Sequence, residues 1–254
     1  MANRGVIDAG HGGYDAGASY QGRKEKDDNL NLALKVGEIL LKNCIDVRYT
    51  RTDDVYDSPY EKAVFANNSG ADLFVSIHRN AYLTPNTSRG IETLVYNDEG
   101  IKAKLARNIN SNLAKLGFDN RGVIERPNLV VLKRTKMPAV LVEAGFIDNE
   151  EDNKLFDEKF DKIADAIAMG IIDTIGGGCD ENERKLYKVF VGAYNDREDA
   201  DALLDELKGM GFPAYIMFED GVYKVMSGAF AILDNAVKME ERLSSMGYNT
   251  YITT

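Results

Sequence analysis

The chain has 254 residues but only two histidines, His11 and His78. Each ends a short apolar run. Val6-Ile7-Asp8-Ala9-Gly10 leads into His11 and a glycine-rich turn, and Leu73-Phe74-Val75-Ser76-Ile77 leads into His78. Both therefore stand at the carboxyl end of a predicted buried strand, the edge of an open α/β sheet where loops converge on a ligand crevice. A catalytic zinc takes three protein ligands and keeps one position open, and two histidines with one carboxylate is an established set. Two histidines exclude a three-histidine site, so a carboxylate has to complete this one. Either histidine alone reads more readily as a hydrogen-bonded structural or surface residue; two in equivalent positions, with no others in the chain, bring the metal reading level with that one.

Two groups of carboxylates are of interest. Glu25, Asp27 and Asp28 lie in Gly22-Arg23-Lys24-Glu25-Lys26-Asp27-Asp28-Asn29, the polar approach to the first predicted helix. Spacing does not choose among them, and a residue here also serves simply to cap a helix or complement its dipole. Glu143 closes the apolar run Pro138-Ala139-Val140-Leu141-Val142. An acid there is costly to bury unless it is paired or poised for chemistry; the alternative is a strand-end residue turned to solvent. The turn Gly10-His11-Gly12-Gly13 contains neither GxGxxG nor a following Gly-Lys-Ser/Thr, so a phosphate cradle is poorly supported. Its glycines instead let backbone pass close to a metal and its substrate.

The elements that must position these groups alternate in type up to about residue 175. Strands are predicted at 5–8, 46–50, 73–78, 91–96, 129–132 and 139–142, and helices at 29–42, 60–68, 101–116 and 160–175. The alternation predicts an α/β domain over 1–175: a mostly parallel sheet flanked by helices on both faces. Residues 176–184, three glycines followed by largely acidic residues, have nothing to bury and read as a linker.

Beyond the linker the chain repeats itself. Tyr187-Lys188-Val189 recurs as Tyr223-Lys224-Val225, and the same offset relates Gly192 to Gly228, Ala200 to Ala236, Leu207 to Leu243 and Ile216 to Ile252. Each copy reads strand, helix, strand. Two copies predict a small βαββαβ ferredoxin-like domain over 185–254, with two helices on one face of a four-stranded sheet and the other face open. Alternation turns Val189 and Val191 toward the helices and leaves Lys188 and Phe190 on the open face.

Composition sets outer limits. A hydrophobic content of 44% and a charged content of 28% are those of a soluble globular protein. The net charge of −10 argues against nucleic acid and acidic membrane as partners. No apolar run approaches the roughly 20 residues needed to span a bilayer, and the amino terminus has no basic region followed by an apolar one. Cys44 and Cys179 are far apart and form no CxxC pair, which argues against a disulfide or a cysteine metal site.

IDAGHGGYDAGA, GRKEKDDNL, YTRTDD, ANNSGADLFVSIHRNA and PAVLVEAGFIDNEED follow one another in that order. Together they resemble the zinc-dependent N-acetylmuramoyl-L-alanine amidases of the Amidase_3 type, over roughly residues 4–175. The resemblance implies that His11, Glu25 and His78 bind Zn2+ and that Glu143 is the catalytic acid/base. It is this match, and not spacing, that selects Glu25 over Asp27 and Asp28. The implied reaction is hydrolysis of the amide joining N-acetylmuramic acid to L-alanine in peptidoglycan. Asp15, Arg51 and Asn80 also match the motifs and are expected to orient ligands or substrate. Arg79 departs from the family, which commonly has a small residue there, and is expected to alter the charge of the groove. Some secreted relatives carry a long inserted helix that plugs the metal site. Residues 96–129 here leave room for one ordinary helix and a loop, so an open site is expected.

The repeat, YKVFVGAY with LKGMGFPAYI and YKVMSGAF with LSSMGYNTYI, resembles a SPOR domain, which implies binding of glycan strands stripped of their peptides. Family members often have glutamine where Phe190 and Met226 stand. The partner expected for the whole chain is thus bacterial peptidoglycan, both its glycan strands and its stem peptides. Two other readings stay open at this point: a zinc peptidase acting on wall peptides, and a non-catalytic wall-binding protein. Without a visible leader, a wall hydrolase made in the cytoplasm is expected to reach the wall after lysis or release, as a phage endolysin or a mother-cell lytic enzyme.

Overall fold

A computed structural model describes residues 3–176, 186–230 and 233–254. It divides into two compact units, Met1–Gly178 and Cys179–Thr254. The linker residues 177–184 and Cys179 lie outside the described residues.

The first unit runs β1 (Arg4–Ala9), β2 (Ser19–Tyr20), β3 (Arg23–Lys24), α1 (Glu25–Lys42), β4 (Asp46–Tyr49), α2 (Pro59–Asn68), β5 (Leu73–Asn80) and β6 (Ile91–Val95). It continues α3 (Gly100–Ala114), β7 (Asn120–Glu125), α4 (Val130–Arg134), β8 (Ala139–Phe146), α5 (Glu150–Glu158) and α6 (Phe160–Ile175). The main sheet has the order β4-β1-β5-β8-β6-β7. Its pairings are parallel except β6 with β8, which is antiparallel, so the expected mostly parallel sheet is observed. One face buries Val6, Phe74, Leu94 and Leu141 against Ala66 of α2 and Val131 and Leu132 of α4. Helices α1, α3 and α6 pack on the other, so helices cover both faces as predicted.

Several local expectations change. The first helix begins at Glu25, four residues earlier than periodicity indicates. Its first turn carries Glu25, Asp27 and Asp28, charges that suit the positive end of a helix dipole, and Lys24 at the N-cap supplies no side-chain cap. Residues 129–132 are not a strand but the start of α4, because four apolar residues suit a buried helical turn as well as a strand. The sixth strand is β7 instead, a sheet edge with no buried residue and therefore no apolar signal. Helix α5 escapes periodicity because it buries only Asp152 and Phe156.

The second unit runs β9 (Tyr187–Tyr194), α7 (Arg197–Gly209), β10 (Tyr215–Glu219), β11 (Val222–Phe230), α8 (Leu233–Ser245) and β12 (Tyr251–Thr253). This is the predicted βαββαβ order, in an antiparallel sheet β10-β11-β9-β12. Its core is the repeat itself: Val189 with Val225, Ala200 with Ala236, Leu203 with Met239, and Leu207 with Leu243 are all buried. On the opposite face Tyr215, Met226, Phe190 and Tyr251 are in register across the four strands. Phe190 stacks on Tyr251 with ring centroids 4.3 Å apart, and Met226 is buried.

Candidate metal and acid/base site

The site grows from the end of one sheet face. Side chains alternate along a strand, so the face that buries Phe74 next presents Ser76 and then His78, and the face that buries Leu141 next presents Glu143. His78 and Glu143 are register partners on adjacent strands, and Glu143 is in turn opposite Glu92 of β6. His78, Glu143 and Glu92 thus form a row across three strands. His11 reaches the site from the turn after β1, with a left-handed backbone (φ 60) that few non-glycine residues adopt. Two glycines make room. A Cβ at Gly10 would lie 2.3 Å from the His78 ring, and one at Gly17 would lie 2.5 Å from Glu25 Oε2.

Glu25 is the centre of the polar contacts. Its Oε2 is 3.1 Å from His11 Nε2 and its Oε1 is 2.8 Å from His78 Nδ1. The amides of Ala18 and Arg79 donate to the same carboxylate at 2.9 and 3.1 Å. One donor atom from each of His11, Glu25 and His78 lies within 4.8 Å of the others, the sole such histidine, cysteine or acid group among the described residues. Asp15 Oδ2 sits 2.9 Å from the other nitrogen of His11, the arrangement that fixes a ligating imidazole. Two nitrogens and one carboxylate oxygen suit zinc, and tetrahedral donors at about 2.0–2.1 Å from a metal stand roughly 3.3 Å apart. The donor set therefore fits the ion that the sequence implies.

Charge supports the same fit. Burial would raise the Glu25 carboxyl, but hydrogen bonds from both imidazoles hold it well below the usual carboxylate range. Burial would lower His11, yet the carboxylates of Glu25 and Asp15 outweigh it and push it up to about 9. Carboxylates that favour a positive charge on His11 this strongly attract a dication to the same place. Glu143 behaves oppositely. Burial, followed by the nearby negative charge of Glu25 and Glu92, pushes its carboxyl up to about 7 despite the countering effect of His78. Its Oε2 is buried and makes no hydrogen bond. A carboxyl titrating near neutrality is suited to accept and return a proton.

The remaining residues divide. Asp15 contacts His11 as described. Arg51 bonds to none of His11, Glu25 and His78 through their side chains; it donates to the carbonyls of Ala9, Gly10, Lys26 and Asp53 and so pins the His11 turn to α1. Asn80 donates to Glu92 at 3.0 Å. Arg79 is not in the groove: alternation turns it to the opposite face from His78, where its side chain is fully buried. Periodicity also missed Asn29 and Glu92. Asn29 lies one turn after Glu25 on α1 and bonds to both Glu25 and Gly10 O at 3.3 Å, a relation that the i,i+4 spacing could have signalled. Glu92 is an acid inside the apolar run Ile91-Glu92-Thr93-Leu94-Val95, as legible a signal as Glu143.

Between β6 and α4 the described elements are α3 and β7, with no additional helix. Among the described residues no helix is long and apolar enough to cross a membrane.

Known proteins resemble this chain in sequence and in fold. A family model described as N-acetylmuramoyl-L-alanine amidase matches residues 6–173, and a SPOR domain model matches 182–254. The sporulation-specific N-acetylmuramoyl-L-alanine amidase of Bacillus subtilis is 34% identical over 222 residues, covering 84% of each chain. The endolysin of Bacillus phage SPP1 is 37% identical over 194 residues, covering 70% of each. The crystal structure of an N-acetylmuramoyl-L-alanine amidase from Clostridium difficile 630 superposes with a TM-score of 0.64 at 39% identity, covering 68% of this chain and 96% of that one. The chain belongs to the N-acetylmuramoyl-L-alanine amidase family, and it joins that domain to a SPOR domain.

Proposed function

We propose that the amidase activity is zinc-dependent, with His11, Glu25 and His78 as the metal ligands and Glu143 as the acid/base. The observation that carries this reading is the three-donor cluster at the same sheet edge as a carboxyl with an unpartnered, buried oxygen. When bound, zinc supplies Lewis acidity, polarising the scissile carbonyl and lowering the pKa of water toward ~7. Glu143 takes a proton from the attacking water and passes it to the departing amine of L-alanine. Asp15 keeps the His11 ring in its orientation through the second nitrogen, and Glu92 is itself held by Asn80 and Arg121. The bond cleaved is the amide between the lactyl group of N-acetylmuramic acid and L-alanine.

The reading extends to targeting. The SPOR-like unit, with proposed limits of 185–254, binds glycan strands freed of their stem peptides, which are the product of the first domain's reaction. With no inserted helix between β6 and α4 to plug the site, hydrolysis needs no activator protein. The chain acts on the wall after lysis or release, as a phage endolysin or a mother-cell lytic enzyme, in keeping with its likeness to an endolysin and a sporulation-specific amidase.

Mass spectrometry of muropeptides from wall digested by the purified protein tests the reaction. Free L-alanine amino groups are expected, their release stopping with chelator and returning with Zn2+. Cleavage between two amino acids would move the reading to a zinc peptidase; chelator-resistant cleavage would remove the metal; no cleavage at all would leave a wall-binding protein.

A further inference from the structure

Among the described residues Arg79 is the largest fully buried side chain, and the reaction described above does not use it. A guanidinium does not lose its charge in a protein interior, so its burial requires compensation from specific partners. Those partners are Asp28 Oδ2 at 2.6 Å, Asn153 Oδ1 at 2.7 Å and the carbonyls of Gly145 and Phe146 at 3.3 and 3.4 Å. The guanidinium also lies over the Phe156 ring, 4.0 Å from its centroid.

The position of each partner in the chain is what gives this network meaning. Asp28 lies on the first turn of α1, three residues after Glu25. Gly145 and Phe146 end β8, two and three residues after Glu143. Arg79 itself directly follows His78, and its backbone amide donates to Glu25 Oε1. One rigid, planar side chain is therefore bonded to the segments that carry Glu25, His78 and Glu143. β5 and β8 are joined by the sheet and the Glu25 carboxylate meets β5, while the guanidinium adds direct bonds from β5 to both α1 and the end of β8.

From this geometry we propose that Arg79 is a positioning residue, setting Glu25 against His78 and thereby the affinity of the site for Zn2+. The proposal rests on the zinc reading given above. It also revises the expectation that this arginine changes the charge of the groove. Its charge is spent on Asp28, beneath the site. Lysine is not an equivalent, because a point charge reaches Asp28 but cannot at the same time hold Asn153 and two carbonyls with a planar fork.

Zinc affinity of the full chain, measured with a competing fluorescent chelator at a temperature where circular dichroism shows every variant folded, tests the proposal. Wild type, Arg79→Lys, Arg79→Ala and Arg23→Ala are compared. Arg23 is the control, since it also bonds Asp28 at 2.7 Å and lies over Phe156, yet touches neither β5 nor β8. Both Arg79 variants are expected to bind zinc about 10- to 100-fold more weakly, with kcat falling at saturating zinc and KM little changed, whereas Arg23→Ala binds as wild type. Should Arg79→Ala fail to fold, Arg79→Lys carries the comparison. Equal affinity in wild type and Arg79→Lys, or an equal loss in Arg23→Ala, would overturn the role of Arg79 while leaving the zinc site standing. Wild type that binds no zinc would overturn the zinc reading, and the role of Arg79 with it.

Discussion

Each unit lines up side chains across a sheet, and the two rows differ in every physical respect. His78, Glu143 and Glu92 cross three strands at a sheet edge, with Glu25 brought over them from α1. Tyr215, Met226, Phe190 and Tyr251 cross four strands in the middle of a sheet with one face uncovered by helices. The first row consists of titratable groups, and burial there pushes the Glu143 carboxyl up to about 7. The second has apolar and aromatic groups and no carboxylate or imidazole. It can offer a surface for a ring to lie on, but nothing to move a proton. Hydrolysis and adhesion are thus separable by substitution, and each experiment below asks whether they separate.

Glu143→Gln is expected to have the largest effect. It keeps the shape of the side chain and removes its basicity, so kcat should fall by about 10²- to 10⁴-fold. Zinc content and retention on wall should stay at wild-type levels. A variant retaining a tenth of the activity would show that the proton is carried by another group, and loss of wall retention would mean that the two rows are not independent.

Next in size is the support beneath the first row. Asp8 is buried, with Lys62 Nζ at 2.9 Å, Thr50 Oγ1 at 2.6 Å and Ser76 Oγ at 2.5 Å; Lys62 also donates to Ala9 O at 2.7 Å, at the root of the His11 turn. Burial alone would raise the Asp8 carboxyl, but Lys62 and the two hydroxyls hold it below its ordinary value. The folded value is thus depressed, so this group's contribution to stability is complete above the unfolded value near ~3.9 and is lost as pH falls through the folded one. Lys62→Met leaves the carboxylate buried without its cation and should cost about 3–5 kcal/mol at pH 7. The deficit should narrow toward pH 4, where the unpaired Asp8 takes up a proton more readily than in wild type. Urea unfolding at the two pH values checks this, and a deficit independent of pH would sink the argument.

Much of this architecture is legible in the sequence, for reasons that differ by element. The buried strands β1, β5 and β8 announce themselves because both faces are covered and their runs are continuously apolar. His11, His78 and Glu143 are conspicuous because each is a polar residue at the end of such a run. Glu25 is not: it sits among other acids, and what distinguishes it is the turn of chain that brings α1 over the sheet edge, a tertiary fact. Arg79 is hidden by its neighbour, since a residue next to His78 reads as groove until alternation is applied to it. Edge strand β7 and polar helix α5 bury too little to leave a pattern. The second unit is the reverse case, where duplication makes its core nearly explicit in the sequence.

The smallest expected effect concerns the second row. Phe190 and Tyr251 are stacked at 4.3 Å with an interplanar angle of 27°, and Tyr251 is exposed while Met226 between its neighbours is buried. The rings are thus the accessible part of the row and the methionine its floor. Removing one ring of a stacked aromatic pair forfeits about 0.5–1.5 kcal/mol. Phe190→Ala and Tyr251→Ala should each weaken binding to amidase-treated wall roughly 2- to 10-fold, a shift readable in a sedimentation isotherm. Both are best made in the Glu143→Gln background, so that the wall is not consumed during the measurement. Met226→Leu, which keeps the floor apolar and of similar volume, should bind as its parent does. In the active enzyme the same ring substitutions should leave turnover of a short soluble muropeptide unchanged, because no ring of this row takes part in moving the proton. If the ring variants bind treated wall as tightly as their parent, the open face is not the glycan platform and adhesion has to be sought elsewhere on the unit. If they slow the soluble substrate instead, the separation of hydrolysis from adhesion fails, and the SPOR-like unit has a part in the chemistry that its composition gives no means to perform.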